Sequence, residues 1–84
     1  MDYELYLRNE VFEFLRQCRR TDRDALLTVL GALANDPHRH GDFRERDRSG
    51  RDLEVLIFRG YAVVYWADHP VKELKVVDIR YADR

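Results

Sequence analysis

The strongest constraint on this chain is a change of hydrophobic period at Asn35-Asp36-Pro37. Before these residues apolar positions recur every three or four places; after them they alternate. A chain of 84 residues has room for one core. The two periods therefore predict a single α+β domain over residues 1–84, with a helical half at 8–36 and a sheet half at 41–81. The expected architecture is a helical hairpin packed on a small antiparallel sheet.

In the first half, Val11, Leu15 and Cys18 sit at i, i+4 and i+7, with Phe12 and Phe14 beside them, which makes one broad apolar helix face. Thr21-Asp22-Arg23-Asp24 reads as a second helix start, with the Thr21 hydroxyl as its cap. Leu26, Val29, Leu30 and Leu33 continue at helical spacing, and Gly31 suggests a close helix crossing. Pro37 ends this helix, because the residue before a proline is pushed out of the helical region. Ahead of both helices, Tyr3, Leu5 and Leu7 alternate with Glu4 and Tyr6, as a short leading strand would.

The second half reads as four strands. Residues 41–47 alternate, placing Asp42, Arg44 and Arg46 opposite to Phe43, Glu45 and Asp47, and Arg48-Ser49-Gly50-Arg51 turns the chain. Residues 52–58 and 61–66 are β-branched and aromatic, separated only by Arg59-Gly60, which suits a two-residue primed turn. That turn sets Phe58 opposite Tyr61, Leu56 opposite Val63 and Glu54 opposite Tyr65. Both faces of the hairpin are apolar, so it belongs at the centre of the sheet. Asp68-His69-Pro70 turns into a last strand over 73–81.

Charge and cysteine usage exclude several classes. Fifteen basic and 16 acidic residues give a net charge of −1, so bulk electrostatics offer no case for nucleic-acid binding. All the basic residues except Lys72 and Lys75 are arginine, and local clusters can still form. A lone cysteine, Cys18, excludes an internal disulfide and a thiolate metal cluster; it reads as a small core residue. No apolar run nears the roughly 20 residues of a membrane span, and Met1-Asp2-Tyr3-Glu4 has no signal-peptide character. A soluble cytoplasmic protein without cofactor is expected.

Three constellations bear on chemistry. His38, His40 and Asp42 alternate and would share a strand face, as metal ligands can, but the stretch reads better as a polar loop, and no metal is expected. Arg39, Arg44, Arg46, Arg48, Arg51 and Arg59 crowd the sheet half, where guanidinium forks can follow a phosphate backbone. Interleaved Asp42, Glu45, Asp47, Asp52 and Glu54 favour cross-strand ion pairs instead. Phe58, Tyr61 and Tyr65 share a face and suit core packing better than base stacking.

From Tyr3 onward the chain resembles the RelE/ParE superfamily of bacterial toxins from type II toxin–antitoxin modules. The resemblance rests on the element order, the Leu33-Ala34-Asn35-Asp36-Pro37 ending, the hairpin carrying Gly60-Tyr61-Ala62-Val63-Val64-Tyr65, and the final Val76-Val77-Asp78-Ile79. It implies a cognate antitoxin as partner. It also implies one of two activities: RelE-like members cleave messenger RNA on the ribosome, and ParE-like members poison DNA gyrase. The two arginines usual in the cleaving members are replaced here by Ala62 and Ala82, and the tail that follows the last strand in some members is short. Arg80 and Tyr81 are then the expected catalytic candidates, with Arg84 nearby and Arg44, Arg46, Arg51 and Arg59 as RNA-binding candidates. The alternative is a non-catalytic toxin relative acting by protein binding, and a homodimer through sheet edges or helices is a further expectation.

Overall fold

The computed structural model describes residues 3–83. Seven elements follow in chain order: strand β1 (Glu4–Leu7), helices α1 (Asn9–Gln17) and α2 (Arg20–Asn35), then strands β2 (Phe43–Arg46), β3 (Asp52–Phe58), β4 (Tyr61–Asp68) and β5 (Glu73–Tyr81). The sheet order is β1-β5-β4-β3-β2. Strands β2 to β5 form an antiparallel meander, and the leading strand adds to it in parallel beside β5, with Leu5 across from Leu74. The sheet is therefore mixed. Two helices intervene between β1 and β2, which lets β1 reach the far edge of the sheet in the direction of β5.

The main core lies between the helices and one sheet face. Val11 and Leu15 of α1, and Leu26, Leu30, Leu33 and Ala34 of α2, meet Leu56, Tyr61, Val63, Tyr65, Leu74, Val76 and Ile79. These are the periodic positions of the sequence, now resolved into one helical stripe and one strand face. Val29 and Cys18 are only partly buried against this cluster. On the other sheet face, Leu53, Val55, Ala62 and Val64 form a second cluster with Trp66 and Val77, and no helical residue joins it.

Two local expectations change. Helix α2 begins at Arg20, with extended Arg19 as its cap residue and no side-chain cap, so Thr21 lies inside the first turn. Asp22 of that turn instead accepts a hydrogen bond from the Tyr61 phenol at 2.7 Å, which ties the helix start to the sheet. Gly31 marks no close crossing: a methyl group there would meet nothing within 4 Å. The close approach falls at Gly41 instead, where a β-carbon would collide with the Val55 backbone.

The central hairpin adopts the expected register, Phe58–Tyr61, Leu56–Val63 and Glu54–Tyr65. Arg59 and Gly60 both have positive φ, 53° and 81°, as a primed two-residue turn requires. Between β4 and β5 the register shifts by one residue at Val64/Tyr65, where Val64 pairs with Asp78 and Tyr65 with Val76. Val77 is the extra residue of a β-bulge. The bulge keeps Val76 and Ile79 in the helix-covered core and turns Val77 toward the second cluster.

Candidate functional site

The helix-free face is where polar groups gather over the sheet. Residues directly opposite on neighbouring strands share a face. Arg80 pairs with Ala62, and Glu45 with Leu53; Ala62 and Leu53 both belong to the second cluster, so Arg80 and Glu45 stand on the open face. The Arg80 guanidinium reaches across β4 and β3 to hydrogen-bond the Glu45 carboxylate, and a second nitrogen donates to Asp78 at 3.1 Å. Arg80, Glu45 and Asp78 are each about 40% exposed, so solvent screens these pairs.

These groups lie in a groove of about 440 Å³ whose floor is Leu53, Val64 and Val77. Its rim carries Arg8, Arg46, Arg48 and Arg80, and also Glu10, Glu45, Asp47 and Asp78. Further along the same face, Trp66 lies under the Arg51 guanidinium at 3.9 Å, with the Lys75 ammonium 5.2 Å from its ring. Lys75 is itself paired to Asp68 at 2.8 Å, which holds its pKa above the ordinary lysine value.

Tyr81 is the next residue after Arg80 and turns to the other face. Its ring packs 5.5 Å from Phe14 of α1 and 5.6 Å from Tyr61. Arg80 and Tyr81 are therefore not brought together. The two hairpin tyrosines serve structure: Tyr61 donates to Asp22, and Tyr65 donates to the Arg39 carbonyl at 3.0 Å. The Asp22 hydrogen bond, aided by burial, pushes the Tyr61 pKa up to about 12; burial, with the Glu54 charge, does the same for Tyr65.

The four arginines proposed for RNA also divide. Arg44 and Arg46 stand on the helix-side face, where Arg44 donates to Glu54 at 3.0 Å and Arg46 to Asp52 at 3.2 Å. Arg51 covers Trp66, and Arg59 sits at the hairpin tip, 5.6 Å from the Phe58 ring. Arg46 and Arg80 both border the groove, although the Arg46 guanidinium is turned to Asp52, whereas Arg44 and Arg59 do not line it. Arg84 lies outside the described residues. Of the histidine-rich loop, Asp42 accepts from the Ile57 backbone N–H at 2.7 Å, and among the described residues no three histidine, cysteine or acidic groups converge to hold a metal.

Sequence reasoning missed Arg8, Glu10, Glu45 and Asp78 as rim residues. The lapse of alternation at Val76-Val77-Asp78 is the signal that points to the bulge, and the i, i+2 spacing of Asp78 and Arg80 is the signal for their pairing.

No family model matches the chain, and neither does any curated protein. Solved structures match it over its whole length. A chain of the archaeal RelE–RelB complex from Pyrococcus horikoshii superposes with a TM-score of 0.80 at 17% identity, covering 100% of this chain and 99% of that one. A chain of the toxin–antitoxin complex RelBE2 from Mycobacterium tuberculosis gives 0.79 at 15% identity, covering 96% and 99%. The isolated E. coli RelE toxin gives 0.76 at 21% identity, covering 98% of this chain and 86% of that one. With two helices on a five-stranded mixed sheet in this order, the chain has the fold of the RelE toxins.

Proposed function

We propose that this chain is the toxin component of a toxin–antitoxin module, and that it acts by binding a protein target rather than by cutting RNA. The first half of the reading is supported by full-length likeness to chains from a RelE–RelB and a RelBE2 complex. The partner that follows is a cognate antitoxin. Fold alone does not carry activity, which must be argued from the site.

The observation that carries the second half is the engagement of Arg80 by Glu45 and Asp78. A phosphate gripped by Arg80 would have to displace two carboxylates, and would then lie beside them. The four arginines on the groove rim face four carboxylates. Such a rim offers no net positive field to a phosphate chain, whose binding depends on uncompensated cations. Mixed charges over an apolar floor suit a protein surface, where a polar rim surrounds a dry centre. DNA gyrase is the target class that the superfamily resemblance supplies.

A second reading is favoured by one placement. Arg80 stands on the same face as Ala62 and directly across from it, so it can reach the space that an arginine at position 62 would fill. In that reading the chain is a ribosome-dependent messenger-RNA endoribonuclease. Arg80 and Tyr81 serve cleavage, and Arg44, Arg46, Arg51 and Arg59 hold the RNA.

Purified protein incubated at low salt with ribosomes stalled on a defined message separates the two. The proposal expects the message to stay intact. A cut in the ribosomal A-site codon, lost in Arg80→Ala, would establish the second reading instead.

A further inference from the structure

The three histidines of the chain meet on the helix-side face, away from the groove. His38 and His40, in the loop after α2, and His69, in the β4–β5 turn, line a pocket of about 310 Å³ with Pro37, Arg39 and Tyr65. The His38 and His69 rings stack 4.9 Å apart and within 17° of parallel. The Tyr3 phenol lies 2.6 Å from His69 Nδ1. With the phenol donating, Nε2 carries the His69 proton and is left as its donor.

The carboxylates of this pocket are already occupied. Glu54 accepts from the Gly41 backbone N–H at 2.8 Å and from Arg44 Nε at 3.0 Å, and also lies 3.2 Å from His40 Nδ1. Asp52 accepts from Arg46. On the adjoining segments, Asp42 is bound to the Ile57 N–H and Asp68 to Lys75, leaving Asp36, at the end of α2, as the remaining carboxylate. The Tyr65 hydroxyl is spent on the Arg39 carbonyl. Arg44 Nη2 also lies 3.2 Å from His40 Nδ1, so what remains for a ligand is the Arg39 guanidinium, the His38 ring and the Nε2 atoms of His40 and His69.

We propose that this pocket binds a phosphate group, with the Arg39 guanidinium and the rings of His38, His40 and His69 as its donors. The inference rests on this pocket alone and stands whichever activity the open face has.

The test follows the histidine ring signals by NMR while sulfate and inorganic phosphate are added. All three rings should respond to both ions. Arg39→Gln and His38→Gln, both at exposed positions, should each weaken sulfate at least roughly fivefold. An RNA oligomer with a 5′-phosphate that binds more tightly than its 5′-hydroxyl counterpart would make the ligand a nucleotide end. Equal binding of the two oligomers, with free phosphate still bound, would make it the free ion. Rings that respond to zinc but not to sulfate would overturn the proposal, as would a sulfate response unchanged in both variants.

Discussion

Arg80 stands across the β4–β5 ladder from Ala62, on the helix-free face, with its guanidinium shared between Glu45 of β2 and Asp78 of its own strand. Asp78 and Arg80, two residues apart on β5 and paired with Val64 and Ala62, share that face by strand alternation. An alanine at position 62 leaves room for the long side chain to cross β4 and β3. The arginine is thereby a strut over the second apolar cluster as much as a charge.

The protein-binding account expects Tyr81→Phe, whose ring lies on the opposite sheet face from the groove, to leave growth arrest by the induced protein unchanged. Arg80 is in screened, half-exposed pairs, so Arg80→Ala should cost only about 0–1 kcal/mol in urea unfolding. Loss of arrest in a Tyr81→Phe protein that remains folded would argue for a catalytic role.

Leu30 is fully buried between α2 and the sheet. Leu30→Ala removes a side chain from the centre of the core and should cost about 2–5 kcal/mol, read as a lower urea midpoint. A domain of 84 residues is stable by about 4–13 kcal/mol, so this one change removes a substantial share of its stability.

Gly41 runs so close to β3 that a methyl group would enter the Val55 backbone, and its N–H is needed by Glu54. Gly41→Ala should cost about 1–3 kcal/mol, through displaced backbone rather than lost conformational freedom. Gly31→Ala meets open space and removes a helix-interior glycine, so it should stabilise by up to about 1 kcal/mol. Equal effects at the two positions would contradict the packing described.

Alkaline pH should reveal the two held tyrosines. Tyr61 and Tyr65 keep their protons to about pH 12 in the folded chain, against an ordinary value of 10.0. The folded state thus holds protons that the unfolded chain has lost, so this stabilisation is complete below pH 10 and falls between 10 and about 12. Ultraviolet titration should show tyrosine ionisation continuing to about pH 12 in the folded chain, and Tyr61→Phe should flatten part of the stability loss. Ionisation of Tyr61 and Tyr65 at the ordinary tyrosine value in folded protein would refute it.

Much of this fold is legible in the residues because its hairpin is pinned by a two-residue turn. Once Arg59-Gly60 is the turn, every rung from Phe58–Tyr61 to Glu54–Tyr65 follows by counting. The same logic failed at β5, where a bulge inserts one residue that counting cannot foresee. Arg44 and Arg46 could be placed on one face by alternation, but not identified as partners of Glu54 and Asp52 until the β2–β3 register was known. The reach of Arg80 to Glu45, two strands beyond its neighbour, depends on sheet curvature, which leaves no local trace. The gathering of three histidines is likewise hidden, since His69 lies 29 positions after His40.

The most direct test of the account is induced expression with and without the gene adjacent on the chromosome, with transcript ends mapped during arrest. The account predicts growth arrest, rescue by the neighbouring gene, and no new message ends. New ends at ribosomal A-site codons would contradict binding without cleavage, and absence of arrest with soluble, intact protein would contradict the toxin reading itself.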